Sequence, residues 1–227
     1  MGDTQYYPLF LDISGASCLV VGGGGVGCRK LAGLLDGGAH DVLVLDTAPP
    51  SAELHAQLQR GMSLFQQREF QDSDLDGRVL VFAATGNAAV NAHIAQRCRA
   101  RGILCNCADN PRAGTCIVPA LARAGTLTAA LSTGGASPAL ARQWKAELED
   151  WLRPRAVMAE FMGRLRPLVL ALRQNTGQNT QLFRSLARSP LQGALHRGDS
   201  AACGRILTEL LPPTLRERIP ELLHELV

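Results

Sequence analysis

Residues 16–27 read Ala16-Ser17-Cys18-Leu19-Val20-Val21-Gly22-Gly23-Gly24-Gly25-Val26-Gly27. A helix-compatible stretch from Val26 to Leu35 follows, and then a second apolar run, Val42-Leu43-Val44-Leu45, that ends at Asp46. Glycine-rich turns are common, so the G-x-G-x-x-G pattern at Gly22, Gly24 and Gly27 says little alone. Its setting says more. The order is a strand, a tight turn, a helix and a second strand ending in a carboxylate 24 residues after Gly22, which is the mononucleotide-binding half of a Rossmann unit. In that reading Gly22 permits the turn, Gly24 lets the backbone approach a pyrophosphate, and Gly27 lets the helix sit close to the sheet. Free N–H groups and the positive end of the helix dipole then face the phosphates.

Asp46 selects among dinucleotides. A carboxylate at the end of the second strand accepts hydrogen bonds from ribose hydroxyls and repels a 2′-phosphate. No Arg or Lys lies between Asp46 and Arg60, so NAD is expected over NADP. A solvated turn aspartate ahead of Pro49-Pro50 is the plainer reading of the same residue. Cofactor contacts are expected from Gly22, Gly24, Gly25, Val26, Gly27, Asp46 and Thr47, and from Ala84 and Thr85 at a later strand end.

Composition narrows the class. With 227 residues, 46% apolar and 19% charged, the chain matches an ordinary globular protein with room for one good core and a smaller lobe. No apolar run approaches the roughly 20 residues of a membrane span. Residues Met1 to Tyr7 lack the basic and apolar regions of a signal peptide, so a cytoplasmic protein with no membrane association is expected. The odd count of seven cysteines, scattered through apolar segments, suits buried thiols in a reducing compartment. Cys105, Cys107 and Cys116 could be imagined as metal ligands, but no C-x-x-C pair exists and no metal site is expected.

Charge is unevenly spread. Residues 1–150 hold 12 basic and 14 acidic side chains, whereas residues 151–227 hold eleven arginines against six acids. Arginine forks suit carboxylates and phosphates. A nucleic-acid surface would add lysines and interleaved aromatics, so an anionic small substrate is the better expectation, with a solvated helical face as the bland alternative.

The βα alternation continues beyond Asp46. A helix is expected near Ser51 to Arg60 and strands at 63–65, 79–84 and 103–107, with an acidic turn at Asp72 to Asp76 and a helix from Ala88 to Arg101. This order predicts an α/β fold with a Rossmann-type parallel sheet and helices on both faces. Thr85, Asn87 and Asp109 fall at strand ends, where such sheets bind ligands. Two strands are expected at 115–121 and 127–132, then a helix capped by Ser137 with Pro138 at its first position, running to about Trp151. A small helical C-terminal lobe follows, with breaks near Gly177, Gly198 and Pro212-Pro213. The expected divisions are an NAD-binding domain at 1–114, a dimerisation segment at 115–150 and a helical, substrate-side lobe at 151–227.

Several stretches together resemble the precorrin-2 dehydrogenase family, the NAD-binding module of sirohaem synthases. They are Pro8-Leu9-Phe10-Leu11-Asp12, the Gly22–Val26 turn followed by Arg29-Lys30, Ala83-Ala84-Thr85, Cys105-Asn106-Cys107-Ala108-Asp109, and Ser132-Thr133-Gly134-Gly135-Ala136-Ser137-Pro138-Ala139-Leu140-Ala141-Arg142. The resemblance covers roughly residues 6–150. It implies NAD-dependent oxidation of precorrin-2 to sirohydrochlorin, a homodimer, and in some members ferrous-iron insertion into the product. It also implies a catalytic role for Asp109, as a proton acceptor or an aid to metal insertion, and substrate contacts from Asn106, Thr133, Ser137 and Arg142. Thr133 stands where the family often has serine. The precorrin-2 substrate carries eight carboxylates, which suits the arginine-rich lobe. The chain has no counterpart of the methyltransferase module of fused members, so it is not expected to make precorrin-2. Two other classes stay open: a dinucleotide-sensing regulatory domain without turnover, and an NAD-dependent dehydrogenase of another small substrate. The second would usually need a His or Lys base, and neither appears at the strand ends.

Overall fold

The computed structural model describes residues 5–172 and 175–227, in two compact units, Met1–Val118 and Pro119–Val227. The first residues considered for a leader, 1–4, and Arg173 of the basic lobe lie outside the described residues.

In the first unit the chain alternates β1 (Ser17–Val21), α1 (Gly25–Asp36), β2 (Asp41–Asp46), α2 (Ala52–Leu58), β3 (Ser63–Gln67), a 3₁₀ turn (Asp72–Leu75), β4 (Leu80–Ala83), α3 (Ala88–Ala100) and β5 (Leu104–Cys107). The five strands form one parallel sheet in the order β3-β2-β1-β4-β5. Their near-continuous apolar runs follow from burial on both faces. Cys18, Val20, Val42, Val44 and Phe82 point to one face, where Cys28, Leu31 and Leu34 of α1 and Leu54 of α2 cover them. Leu19, Val21, Leu45, Val81, Ala83, Cys105 and Cys107 point to the other, under Ile94, Ala95 and Cys98 of α3 and Leu75 of the 3₁₀ turn. Chain order reverses between β1 and β4, so the connections leaving their C-terminal ends run to opposite faces of the sheet and leave a crevice.

Residues 115–118 are not a strand as expected. The Thr115 hydroxyl instead accepts from Cys105 N–H at 2.8 Å and donates to Ile103 C=O at 3.3 Å, and Thr115 and Cys116 N–H both reach Cys105 C=O. A side chain thus satisfies part of the β5 edge, which a strand pattern read from sequence does not distinguish from a ladder partner.

The second unit opens with an antiparallel hairpin, β6 (Ala120–Ala124) and β7 (Leu127–Leu131), then α4 (Pro138–Ala171). Five helices follow among the described residues: α5 (Thr176–Arg188), α6 (Leu191–His196), α7 (Ser200–Leu210), α8 (Pro213–Arg216) and α9 (Ile219–Leu223). The expected division at residues 150/151 falls inside α4, which runs 34 residues through Pro154 and Pro167. An interior proline costs a helix about 3 kcal/mol. Against that, Met158, Phe161, Leu165 and Val169 bury one continuous stripe against Leu186, Leu191, Leu195, Leu207 and Leu222. Each fully buried side chain of this kind contributes roughly 1.5–3 kcal/mol, so the stripe outweighs the prolines and keeps the helix whole. The breaks expected at Gly198 and Pro212-Pro213 do separate α6, α7 and α8, whereas Gly177 lies within the first turn of α5.

Candidate dinucleotide site

The three fingerprint glycines have different physical reasons. Gly22 has φ +106°, and an added Cβ would lie 2.4 Å from Ala84 C=O. At Gly27 an added Cβ would lie 1.7 Å from Gly22 C=O. Both are therefore demanded by the fold. Gly24 is not: its φ of −69° and ψ of −177° suit any residue, and an added Cβ would meet nothing within 4 Å. A glycine whose missing side chain leaves open space beside a crevice fits the close backbone approach a pyrophosphate needs.

The N-terminus of α1 matches. α2 and α3 are capped by Ser51, whose hydroxyl accepts from Leu54 N–H at 3.1 Å, and Asn87, whose carbonyl accepts from Ala89 N–H at 2.9 Å. α1 has Gly24 as N-cap and no side-chain cap. Helix starts leave their first N–H groups without intrahelical partners, and an anion is the natural partner for such a start. The cleft here has a volume of about 570 Å³ and is lined by Gly22 and Gly24 after β1, Asp46 and Thr47 after β2, Arg68, Glu69 and Phe70 after β3, and Ala84, Thr85 and Asn87 after β4. Of the residues expected to touch the cofactor, Gly22, Gly24, Asp46, Thr47, Ala84 and Thr85 line it, while Gly25, Val26 and Gly27 form the adjoining first turn of α1.

Asp46 does more than terminate β2. Its carboxylate accepts from Gly23 N–H and from Ala48 N–H, the latter at 2.8 Å, and so braces the glycine turn against the end of β2. It is not merely a solvated turn residue.

A cation reaches the cleft that the stretch from Asp46 to Arg60 does not contain. Arg68 lines it, but its guanidinium makes a forked pair with Asp74 at 2.6 and 2.8 Å, and its Nε donates to Gln66. Asp74 is nearly buried, and donation from Arg68 holds its carboxyl below the ordinary aspartate value despite that burial. Sequence reasoning missed Arg68 because only the packing of β3 beside β2 brings residues 68–70 to the crevice.

The family-model comparison decides the class of this unit. Residues 9–120 match a family described as NAD(P)-binding. The chain is 34% identical over 209 residues to the siroheme synthase of Pseudomonas entomophila, covering 91% of this chain and 44% of that protein. It is 41% identical over 168 residues to the siroheme synthase of Nitrosococcus oceani, covering 71% and 34%. A solved structure, SirC, precorrin-2 dehydrogenase, superposes with a TM-score of 0.66 at 25% identity, covering 97% of this chain and 98% of that one. The chain belongs to the precorrin-2 dehydrogenase family. The match is to NAD(P)-binding proteins, and the residues of the cleft fit a nicotinamide dinucleotide. The chain spans less than half the length of the siroheme synthases it matches.

Asp109 stands two residues beyond the end of β5, exposed. Its Oδ1 accepts from Asn91 Nδ2 at 3.0 Å and from the Cys107 thiol at 3.2 Å. Burial raises this carboxyl, but the Cys107 and Asn91 donors and nearby backbone N–H groups more than offset that and hold it below the ordinary aspartate value. Burial and the facing carboxylate push the Cys107 thiol up to about 11, so it remains a protonated donor.

The other expected substrate contacts have structural uses. Asn106 is 6% exposed, donates to Cys116 C=O at 3.2 Å, and is absent from the cleft lining. A parallel strand alternates its faces, so Asn106 points away from the face shared by Cys105 and Cys107. The Thr133 hydroxyl closes a turn on Ser137 N–H and C=O, and the Ser137 hydroxyl caps α4 through Leu140 N–H at 3.2 Å. Both hydroxyls are used by the backbone. Arg142 is exposed on α4. Among the described residues no cluster of three His, Cys, Asp or Glu is arranged to hold a metal, and no helix is long and apolar enough to cross a membrane.

Proposed function

We propose that this chain oxidises precorrin-2 to sirohydrochlorin with NAD. One hydride leaves the macrocycle for the cofactor and one proton is released, so the macrocycle loses two electrons and two hydrogens. NAD, when bound, supplies the hydride acceptor. The glycine turn and the α1 N-terminus bind its pyrophosphate, Asp46 takes the adenosine ribose, and Thr85 borders the reacting end. Asp109 would receive the proton or stabilise the positive charge that develops on the macrocycle as the hydride departs. The observation that carries this reading is that fixed carboxylate, two residues past β5, tied through one side chain to the cleft wall. The cleft lining contains no His or Lys, which disfavours a dehydrogenase of a simple alcohol or hydroxy acid. The names of the relatives and of the structural neighbour support the substrate. NADH formation on mixing the protein, NAD and precorrin-2 tests it; a protein that binds NAD and yields no NADH is a sensing domain instead.

Asp46 should make NAD bind at least about tenfold more tightly than NADP, a difference of about 1.4 kcal/mol. Asp46→Ala loses the brace on Gly23 and the ribose acceptor together, so affinity for NAD falls while the gap to NADP narrows. Calorimetric titration of both nucleotides reads this directly, and equal affinities in the wild type would remove the ribose argument.

The arginine-rich helices are proposed to face the substrate. Arg153, Arg164 and Arg218 are paired with Asp150, Glu160 and Glu221, and Arg155 stacks on Trp151, so part of this charge is internally compensated. The remaining field should attract an octacarboxylate, and the KM for precorrin-2 should rise with salt while NAD affinity hardly changes. A KM flat between low and physiological salt would leave these arginines as a solvated face. Ferrous-iron insertion is proposed only as a second activity of the same substrate site.

A cytoplasmic homodimer is also proposed, through the second unit. Leu140, Trp144 and Trp151 are 42%, 40% and 55% exposed and share one face of α4. Apolar surface of this kind favours an interface. Sedimentation velocity should show a dimer that Trp144→Glu converts largely to monomer; a monomeric wild type at micromolar concentration contradicts it.

A further inference from the structure

Asn91 lies at the end of the first turn of α3 and is 1% exposed. Every hydrogen-bonding position of its amide is used. Oδ1 accepts from Thr85 N–H at 3.1 Å and faces the Thr85 hydroxyl at 2.7 Å, while Nδ2 donates to Thr85 C=O at 3.0 Å and to Asp109 Oδ1 at 3.0 Å. A backbone N–H can only donate, so the side chain has one orientation, with its NH₂ group toward Asp109. Thr85 and Asp109 are register equivalents: Ala83 pairs with Cys107, and each of the two residues lies two positions beyond. No backbone ladder joins the strands at that point. The Asn91 amide takes its place.

We propose that Asn91 is a positioning residue: it bridges β4 and β5 past the end of their ladder and fixes the Asp109 carboxylate at a set distance from Thr85 on the wall of the dinucleotide cleft. This rests on the reading of Asp109 as the carboxylate of the reaction. Two donors meet Oδ1, one from α3 and one from Cys107 on its own strand, so the carboxylate cannot rotate without breaking both bonds. A buried side chain with all its partners satisfied has one conformation, and a group held by it inherits that order. Catalysis is sensitive to such placement, since misplacing a reacting group by an ångström can cost a hundredfold in rate.

The test uses Asn91→Asp on the full chain. Its carboxylate still accepts from Thr85 N–H, but it loses the donation to Thr85 C=O and sets a like charge against Asp109. Asn91→Ser serves as a second variant, since it removes the reach to Asp109 without adding charge and remains informative if the first fails to fold. Expected are NAD affinity within about threefold of wild type, kcat for precorrin-2 down at least about tenfold with a smaller change in KM, and an upward shift of the Asp109 carboxyl titration followed by ¹³C NMR. The reciprocal pair Asn91→Asp with Asp109→Asn should recover part of the melting temperature lost by Asn91→Asp and stay inactive, because the 91–109 hydrogen bond returns with the charge on α3 rather than beside β5. An unmoved Asp109 titration with normal kcat in either single variant would overturn the proposal and leave Asn91 as a cap for the Thr85 turn. Normal turnover by Asp109→Asn would overturn the reading of Asp109 instead, while the titration would still report whether Asn91 holds it.

Discussion

Gly24→Val abolishes measurable NAD binding while the protein stays folded. The backbone at Gly24 is ordinary and an added Cβ meets no protein atom within 4 Å, so the substitution strains nothing in the unliganded unit. The branched side chain instead fills the space in front of the uncapped α1 N-terminus, where the pyrophosphate must lie. An affinity loss of at least about a hundredfold, about 2.7 kcal/mol, is expected, with circular dichroism and melting temperature close to wild type. Gly27→Ala is the contrasting control. Its Cβ would lie 1.7 Å from Gly22 C=O, so α1 must separate from the sheet or the turn must open, and melting temperature should fall sharply. Calorimetry with NAD and thermal melts on both variants check this. A Gly24→Val protein that binds NAD normally would show that the open space is not where the phosphates sit.

Asp109→Asn leaves NAD affinity within about threefold and lowers turnover of precorrin-2 by roughly 10²–10³-fold, the usual loss when a positioned proton acceptor is removed. The amide keeps the shape and can still accept from Asn91 and Cys107, so little of the loss comes from unfolding. The pH dependence carries its own sign. Because the net effect of its surroundings depresses the carboxyl, Asp109 is charged at every pH above the ordinary aspartate value of about 3.9. The wild type should therefore show no loss of kcat from this group between pH 8 and about pH 5. A low value also makes a weak base, so the charge itself, held beside the departing proton, supplies much of the effect. Stopped-flow NADH formation across that range measures both, and unchanged turnover by the variant takes Asp109 out of the reaction.

The nucleotide unit was legible because its signals are local. Alternation of apolar runs and helical stretches, a glycine turn and an acid at a strand end each act over a few residues, and all five parallel strands lie where those patterns place them. Beyond residue 114 the local signals conflict. Thr115 imitates a strand neighbour through its hydroxyl, and Pro154 reads as a helix stop although the buried stripe on α4 overrides it. Of the substrate residues carried over from the family likeness, Thr133 and Ser137 have hydroxyls bonded to the backbone, while Asn106 gives Nδ2 to Cys116 C=O and keeps a buried Oδ1 without a partner.

By itself the sequence determined that a strand, a glycine turn, a helix and an acidic strand end make a dinucleotide-binding half, because each step is written in short-range spacing and backbone freedom. The tertiary structure added the physical reason for the glycine roles, since atoms brought across the fold crowd Gly22 and Gly27 while Gly24 faces open space. It also decided that Arg68 reaches the cleft already bound to Asp74, and that Asn91 joins Thr85 to Asp109. Those pairings depend on which strands lie side by side and which face of α3 is buried. Hydrogen bonds between residues brought together in that way leave no periodic trace along the chain.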